Sequence, residues 1–199
     1  YYPEAFINML ALLGWNPGTE QEIFTMEELI DAFSLERVGK SGSRFDPEKA
    51  KWFNHQYLQK RSNNQLALEF REFLRAKGFH VDIVRLEILV GLVKERVSFV
   101  KDIWEQTDFF FKAPIDYDAE AIRKRWQENT PAMLAELIPV LQGVADFTVP
   151  ATESAVKTWI ENKGYNTGTV MNALRLVIVG TLRGPQMFDI LSWIGKEET

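Results

Sequence analysis

The chain has 199 residues, a formal net charge of −5 and a hydrophobic content of 46%, which together predict a folded chain with a substantial core. The negative charge argues against a domain that holds nucleic acid by bulk electrostatics alone, and the absence of cysteine excludes disulfides and thiolate metal sites. Without a stretch of roughly 18 apolar residues or a secretory signal pattern, we expect a cytoplasmic protein that makes no contact with a membrane.

Helix-start signals recur through the first third of the chain. Pro3 stands at an early helical position, and Gly14 ends the helix that it begins. Two capping boxes and one N-cap before a proline supply further starts, at Thr25, Asp46 and Ser62. These signals predict a series of helices joined by short polar turns.

The same kinds of signal continue to the end of the sequence. They predict helices that begin at Asp82, Ser98, Asp118, Thr130, the segment 149–154, Thr169 and Pro185. No segment sustains the alternation of apolar and polar residues that a strand would show. The sequence therefore predicts an all-α fold of about ten or eleven helices.

Polar breaks predict how the chain is organised into domains. They fall at residues 61–64 and 112–118, and they predict three consecutive helical units, 1–61, 62–111 and 112–199. The segments do not repeat at a fixed period, which argues against a solenoid. Three consecutive aromatic residues, Phe109–Phe111, stand just before the second break. We expect them to pack in the core at the junction between subdomains rather than to stack on bases.

A search for catalytic chemistry finds no complete site in the sequence. His55 and His80 lie far apart and lack the spacing of a metal pair, so we expect both at the surface or at helix ends. There is no phosphate-binding glycine loop, and no serine has the context of an activated nucleophile. The sequence therefore predicts that the chain has no autonomous catalytic activity and no metal site.

Charge is unevenly distributed along the first sixty residues. Residues 20–36 are acidic, whereas the following stretch is basic and includes Lys40, Arg44 and Lys51. The loop 40–44 has two open interpretations, a flexible solvated loop or a contact with an RNA backbone. The acidic stretch, together with exposed aromatic residues, also leaves open an alternative function, that of an all-helical protein-interaction scaffold.

Three collinear stretches carry a family resemblance that spans essentially the whole chain. They are residues 2–18 (YPEAFINMLALLGWNPG), 23–58 (IFTMEELIDAFSLERVGKSGSRFDPEKAKWFNHQYL) and 174–197 (LRLVIVGTLRGPQMFDILSWIGKE). In these stretches the chain resembles bacterial glutamyl-tRNA synthetases. The resemblance implies a C-terminal fragment of a class I aminoacyl-tRNA synthetase, with a stem-contact region to residue 61 and two anticodon-binding subdomains after it in an elongated arrangement.

The resemblance also implies partners and cofactors. The implied partner is glutamate tRNA, with no DNA partner, and the fragment would be monomeric. The family's catalytic domain, which uses ATP and Mg²⁺, would precede the segment YYPEAF at residues 1–6. The fragment itself would then have no cofactor and no ligase activity, whereas the parent would be a glutamate–tRNA ligase.

Six positions match the family's anticodon-binding residues. The resemblance implies roles in tRNA binding for Arg96, Lys157, Arg175, Gly184, Pro185 and Met187. Arg96 matches a residue that inspects the third anticodon base, which implies a parent that charges only glutamate tRNA, and glycine at 184 departs from relatives that have a hydroxyl residue there. Three alternatives stay open: an ion pair of Arg96 with Asp102, an Arg175 stem that covers apolar surface, and a corner at 184–185 that only turns the chain.

Overall fold

The computed structural model describes residues 1–40 and 42–199, and the α-helices in that part of the chain number eleven. They are α1 (Pro3–Gly14), α2 (Met26–Ala32), α3 (Pro47–Lys60), α4 (Asn63–Ala76), α5 (Ile83–Val93), α6 (Val100–Thr107), α7 (Ala119–Arg125), α8 (Thr130–Gly143), α9 (Val149–Lys163), α10 (Thr167–Val179) and α11 (Met187–Ile194). The all-α prediction is confirmed. The helices form two compact units, residues 1–105 and 106–199, whereas the predicted three-part division remains a prediction.

Side-chain caps account for most of the helix starts. Thr25 and Ser62 form complete capping boxes with Glu28 and Gln65, as the sequence predicts. The aspartates before α3, α5 and α7 accept hydrogen bonds from backbone N–H groups of the first turn. These bonds satisfy donors that have no partner inside a helix, so the predicted helices begin where polar residues precede apolar runs.

Three predicted helix starts are wrong by one residue or more. Helix α6 begins at Val100, one residue after the start that Ser98 as N-cap predicts, and the carboxylate of Asp102 accepts the N–H groups of Ser98 and Phe99. Helix α10 begins at Thr167, with Asn166 as its N-cap, instead of at Thr169. Helix α11 begins at Met187 instead of at Pro185, which lies in the preceding corner.

The first unit is built mainly from two helix pairs, α1 with α3 and α4 with α5. Small and aromatic side chains interlock in the first pair, where Ala5 and Met9 pack against Ala50 and Phe53. The Oδ1 of the buried Asn8 accepts a 2.9 Å hydrogen bond from the N–H of Phe24, whereas its Nδ2 has no hydrogen-bond partner among the described residues. Burial of a polar group is tolerated when such a partner exists.

An arginine ties the start of α1 to α3 and α4. Arg61 forms ion pairs with Glu4 at 2.8 Å and with Glu69 at 3.1 Å. Its guanidinium also lies 3.9 Å from the ring centroid of Tyr2, whose hydroxyl donates to Glu69. Burial, followed by the neighbouring Glu69, raises the pKa of Tyr2 above its ordinary value. The network fixes the N-terminal helix against the rest of the first unit.

The second unit packs α8 to α11 around one another and places α7 against α10. Its core includes the middle of the aromatic triplet, since Phe110 is 6% exposed and meets the edge of Trp193 at 5.0 Å between ring centroids. Phe109 stacks on Phe110 at 4.7 Å, and Phe111 packs against Trp193 at 5.4 Å. The prediction that the triplet serves as core is confirmed for Phe110, while its two neighbours are half-buried.

Candidate nucleic-acid interface

The corner formed by residues 180–186 connects α10 to α11 in the second unit. It opens at Gly180, which adopts a left-handed conformation with φ of +81°. The carbonyl of Gly180 accepts a 2.8 Å hydrogen bond from the N–H of Asp118. A Cβ atom at position 180 would lie only 2.7 Å from the backbone oxygen of Asp116, so the chain needs glycine there.

Arg175 on α10 binds the backbone near the C-terminal end of this corner. Its Nη2 donates a 2.8 Å hydrogen bond to the carbonyl oxygen of Pro185, ten residues further along the chain. Gly184 has a φ of +134°, and a Cβ there would lie 3.2 Å from Nη1 of Arg175. The half-buried guanidinium therefore fits against the glycine backbone and links α10 to the corner.

The side chains of the corner divide into a buried and an exposed set. Pro185 is buried, and Met187 at the start of α11 is 3% exposed. Thr181, Arg183 and Gln186 are exposed. In this structure the buried pair, Pro185 and Met187, supports the corner from inside instead of lining its surface. Contacts of residues 184, 185 and 187 with RNA remain predictions.

Arg96 lies in a single 3-10 turn, Lys94–Arg96, that follows α5 in the first unit. The sequence pattern predicts that α5 continues through this turn, which is wrong. Side chains of α3 fix the segment, because Gln59 donates to the carbonyl of Lys94 at 2.7 Å and His55 Nδ1 lies 2.8 Å from the carbonyl of Val97. Arg96 itself is exposed.

The alternative partner of Arg96 is engaged elsewhere. Asp102 accepts the backbone N–H groups of Ser98 and Phe99 at 3.1 and 2.9 Å. Over residues 1–40 and 42–199, Arg96 makes neither an ion pair nor a side-chain hydrogen bond. The alternative of an ion pair with Asp102 is therefore not supported, and the guanidinium of Arg96 is available to a partner.

The remaining candidate cations differ in their local pairing. Lys157 on α9 is exposed and pairs with Glu153 one turn earlier, at 2.6 Å. Lys40, Arg44 and Lys51 are exposed, and none of them forms an ion pair or a side-chain hydrogen bond with another described residue. Residue 41, within the loop 40–44, lies outside the described residues. The first unit thus offers several unpaired positive charges.

The two histidines and the carboxylates do not assemble into a metal centre. His55 is half-buried in the middle of α3, so the predicted position at the surface or at a helix end is wrong for this residue, whereas His80 is exposed after α4. Within the part of the chain that the structure describes, no group of three or more His, Asp or Glu side chains could hold a metal ion. No helix in that part is long and apolar enough to cross a membrane.

Arg183, a basic residue beside the matched positions 184 and 185, is exposed in the corner. One feature of the candidate interface could not be found from the sequence motifs. Asn54, His55 and Gln59, which bond to the backbone of residues 94–98, are 35 to 44 positions away from their partners and leave no local pattern.

Comparisons with known proteins define the class of this all-α chain. Residues 49–199 match the family model described as "Anticodon binding domain". Residues 1–52 match the model described as "tRNA synthetases class I (E and Q), catalytic domain". The larger match shows that the chain belongs to the anticodon-binding domain family, and the smaller one makes its first part similar to class I aminoacyl-tRNA synthetases. The expectation that the catalytic domain lies entirely before residue 1 is wrong, since a small part of its model extends into this chain.

Relatives that align with the full length of this chain show which kind of synthetase it resembles. A glutamate–tRNA ligase of Flavobacterium johnsoniae is 51% identical over 199 residues, which cover 100% of this chain and 40% of that protein. One of Phocaeicola vulgatus is 49% identical, with 39% of its length covered. The crystal structure of a glutamate tRNA ligase from Elizabethkingia meningosepticum, in complex with its amino acid, superposes with a TM-score of 0.93 at 43% identity over 100% of this chain and 39% of that one. The chain belongs to the glutamate–tRNA ligase family and spans about two fifths of the length of these relatives.

Proposed function

We propose that this chain binds glutamate tRNA and recognises its anticodon as the C-terminal part of a glutamate–tRNA ligase. The observation that carries the proposal is the match of residues 49–199 to an anticodon-binding domain within a chain that matches glutamate–tRNA ligases over its full length. The overall charge of −5 requires the contact to depend on local positive surfaces. Each unit has such exposed cations.

The first unit would contact the tRNA through Arg96 and through the basic stretch that includes Lys40, Arg44 and Lys51. Single-stranded RNA loops are recognised by stacking on flat groups and by hydrogen bonds to base edges. The guanidinium of Arg96 is planar, exposed and without an ion pair among the described residues, which suits both kinds of contact. The three other cations suit contacts with phosphates, which position the RNA without specifying its sequence.

The second unit would contribute the corner at residues 180–186 and Lys157. The corner is held from inside by the bond between Arg175 and the carbonyl of Pro185, so it can present a defined shape to unpaired bases. The bases that fit would form hydrogen bonds, and wrong bases would leave polar groups of the protein unpaired. A lost bidentate arginine contact costs about 1–3 kcal/mol in discrimination.

Ligase activity belongs to this proposal only for a longer parent protein, which would charge glutamate tRNA alone. The relatives extend well beyond the region that this chain spans, and residues 1–52 match only a small part of the catalytic-domain model. We therefore assign ATP and Mg²⁺ to the part of the relatives that lies outside this chain.

A binding titration tests the proposal. Fluorescence anisotropy of labelled glutamate tRNA should give an affinity that falls log-linearly with salt, because binding releases counterions from phosphates. A tRNA of the same length for another amino acid should bind more weakly. Equal affinity for both RNAs would contradict the proposal and would favour the protein-interaction scaffold.

The same titration tests the role of Arg96. Arg96→Ala should weaken binding of glutamate tRNA about fivefold or more, because a base or phosphate contact is lost. Arg75→Ala is the matched control, since it removes one exposed arginine that is already paired with Glu72 at 2.8 Å. If the two variants lose the same affinity, Arg96 makes no specific contact. Circular dichroism should show unchanged helicity in both.

A further inference from the structure

We propose that His55 and Gln59 on α3 are positioning residues, which hold the turn Lys94–Arg96 in the conformation in which Arg96 meets the tRNA. This inference rests on the proposed function and adds to it two residues that act through Arg96 instead of touching RNA themselves. It depends on the hydrogen bonds that join α3 to residues 94–98 within the first unit.

The turn that carries Arg96 is weakly closed by its own backbone. It is a three-residue 3-10 segment, and short segments of this kind have poorer hydrogen-bond geometry than an α-helix. The bond from the N–H of Val97 to the carbonyl of Lys94 is 3.4 Å long, which is beyond the usual range. The path of the turn therefore depends on partners outside it.

Two side chains on one face of α3 supply such partners. Gln59 Nε2 donates to the carbonyl of Lys94 at 2.7 Å. His55 Nδ1 lies 2.8 Å from the carbonyl of Val97, and since a carbonyl only accepts, Nδ1 carries the hydrogen. Residues 55 and 59 are four apart on a helix and so lie side by side. Their two acceptors stand on either side of Arg96 in the chain.

The helix that supplies these donors is itself fixed in the core. Phe53 and Leu58 on α3 are both 0% exposed. Between them, Asn54 accepts the N–H of Tyr2 at 2.7 Å and donates to the carbonyl of Ser98. Donors that stand on a buried helix cannot follow the turn if it moves, so their bonds restrict it to one path.

This arrangement directs Arg96 away from the core. Val93 and Val97 are 1% and 0% exposed, whereas Glu95 and Arg96 between them are exposed. The guanidinium of Arg96 forms no ion pair or side-chain hydrogen bond with another described residue. An arginine whose backbone is already fixed has less freedom to lose when it binds, which favours affinity.

The paired variants Gln59→Ala and Gln56→Ala test the role of Gln59. Gln56 is a half-buried residue of the same helix whose side chain forms no hydrogen bond with another described residue. Gln59→Ala should weaken binding of glutamate tRNA about threefold or more, as loss of one hydrogen bond permits, and Gln56→Ala should stay within about 1.5-fold. The preference for the native over a replaced anticodon should fall in Gln59→Ala by the same factor.

Variants of His55 distinguish positioning from loss of packing. Asparagine places its amide nitrogen as many bonds from Cα as Nδ1 of histidine, so His55→Asn can still donate to Val97. We expect His55→Asn to keep tRNA affinity within about 1.5-fold, whereas His55→Ala should lose about threefold or more. Circular dichroism checks folding, and the half-buried Gln59 keeps the inference testable if His55→Ala fails to fold.

A double-mutant cycle tests whether these residues act through Arg96. In the Arg96→Ala background, Gln59→Ala should cost no more than about a further 1.5-fold, since a positioning residue has no effect without the residue that it positions. A readout without RNA is amide hydrogen exchange of residues 94–98. It should become faster in Gln59→Ala and stay unchanged in Gln56→Ala.

Three results would overturn the inference while the proposed function stands: unchanged tRNA affinity in Gln59→Ala, equal losses in Gln59→Ala and Gln56→Ala, or fully additive losses for Gln59 and Arg96. Unchanged exchange of residues 94–98 in Gln59→Ala would remove the positioning role regardless of RNA. Failure of the unsubstituted chain to prefer glutamate tRNA overturns the proposed function itself.

Discussion

Replacement of Gly180 by alanine is a direct test of how the corner is built. Gly180 ends α10 with a φ of +81°, and a Cβ there would lie 2.7 Å from the backbone oxygen of Asp116 and 3.1 Å from Cβ of Pro114. The first contact is with backbone, so no flexible side chain can move aside. The segment 114–118 would have to shift away from the corner.

The expected cost has two parts. A residue with a side chain in the left-handed conformation costs about 1–2 kcal/mol relative to glycine. A shift of residues 114–118 would weaken the 2.8 Å hydrogen bond from the N–H of Asp118 to the carbonyl of Gly180, which contributes about 1 kcal/mol. We therefore expect Gly180→Ala to lower the free energy of unfolding by about 2–3 kcal/mol.

Urea unfolding followed by circular dichroism measures this loss. Gly164→Ala is a matched control, because Gly164 also ends a helix with a positive φ of +68° but no atom lies within 4 Å of its added Cβ. The control should lose only the conformational part, about 1–2 kcal/mol, and so about 1 kcal/mol less than Gly180→Ala. Equal losses in the two variants would show that the contact with Asp116 does not constrain the corner.

Two further predictions concern the stability of the first unit. Burial raises the pKa of Tyr57 from 10.0 to about 12, so the unfolded chain releases this proton first and stability should fall as pH rises from about 10 to 12. Urea titrations across that range should show a shallower fall in Tyr57→Phe, and an unchanged slope would contradict the assignment. Ser62→Ala should lose about 1 kcal/mol because it removes the N-cap of α4. Ser154 is exposed and lies within α9, so Ser154→Ala is the control in the same assay. Equal stability of the two variants would show that the Ser62 side chain does not stabilise the start of α4.

Local signals in the sequence account for the helix starts but not for the end of α5. The sequence offers no breaker between Val93 and Arg96 and predicts a helix through Arg96, yet the α-helix stops at Val93. The cause is tertiary, because Gln59 and His55 on α3 bond to carbonyls of this segment. Such partners are distant in sequence, so a local pattern cannot reveal them.

The corner at residues 180–186 is a second case in which contacts between distant residues leave no local pattern in the sequence. The sequence identifies a constrained Gly-Pro turn beside a basic residue, and the structure has a tight turn there. The burial of Met187 and the bond from Arg175 to Pro185 depend on how α10 and α11 pack, which no residue spacing specifies. For that reason the resemblance could match Arg175 to a family position but could not show its hydrogen bond to Pro185.

The affinity ratio between glutamate tRNA and the same tRNA with its anticodon replaced tests the central claim most directly. Both RNAs share every stem and every backbone charge, so non-specific electrostatics cancel at fixed salt. The account predicts that the native anticodon binds at least about fivefold more tightly, as loss of one good base contact requires. Equal affinities would contradict anticodon recognition by this chain.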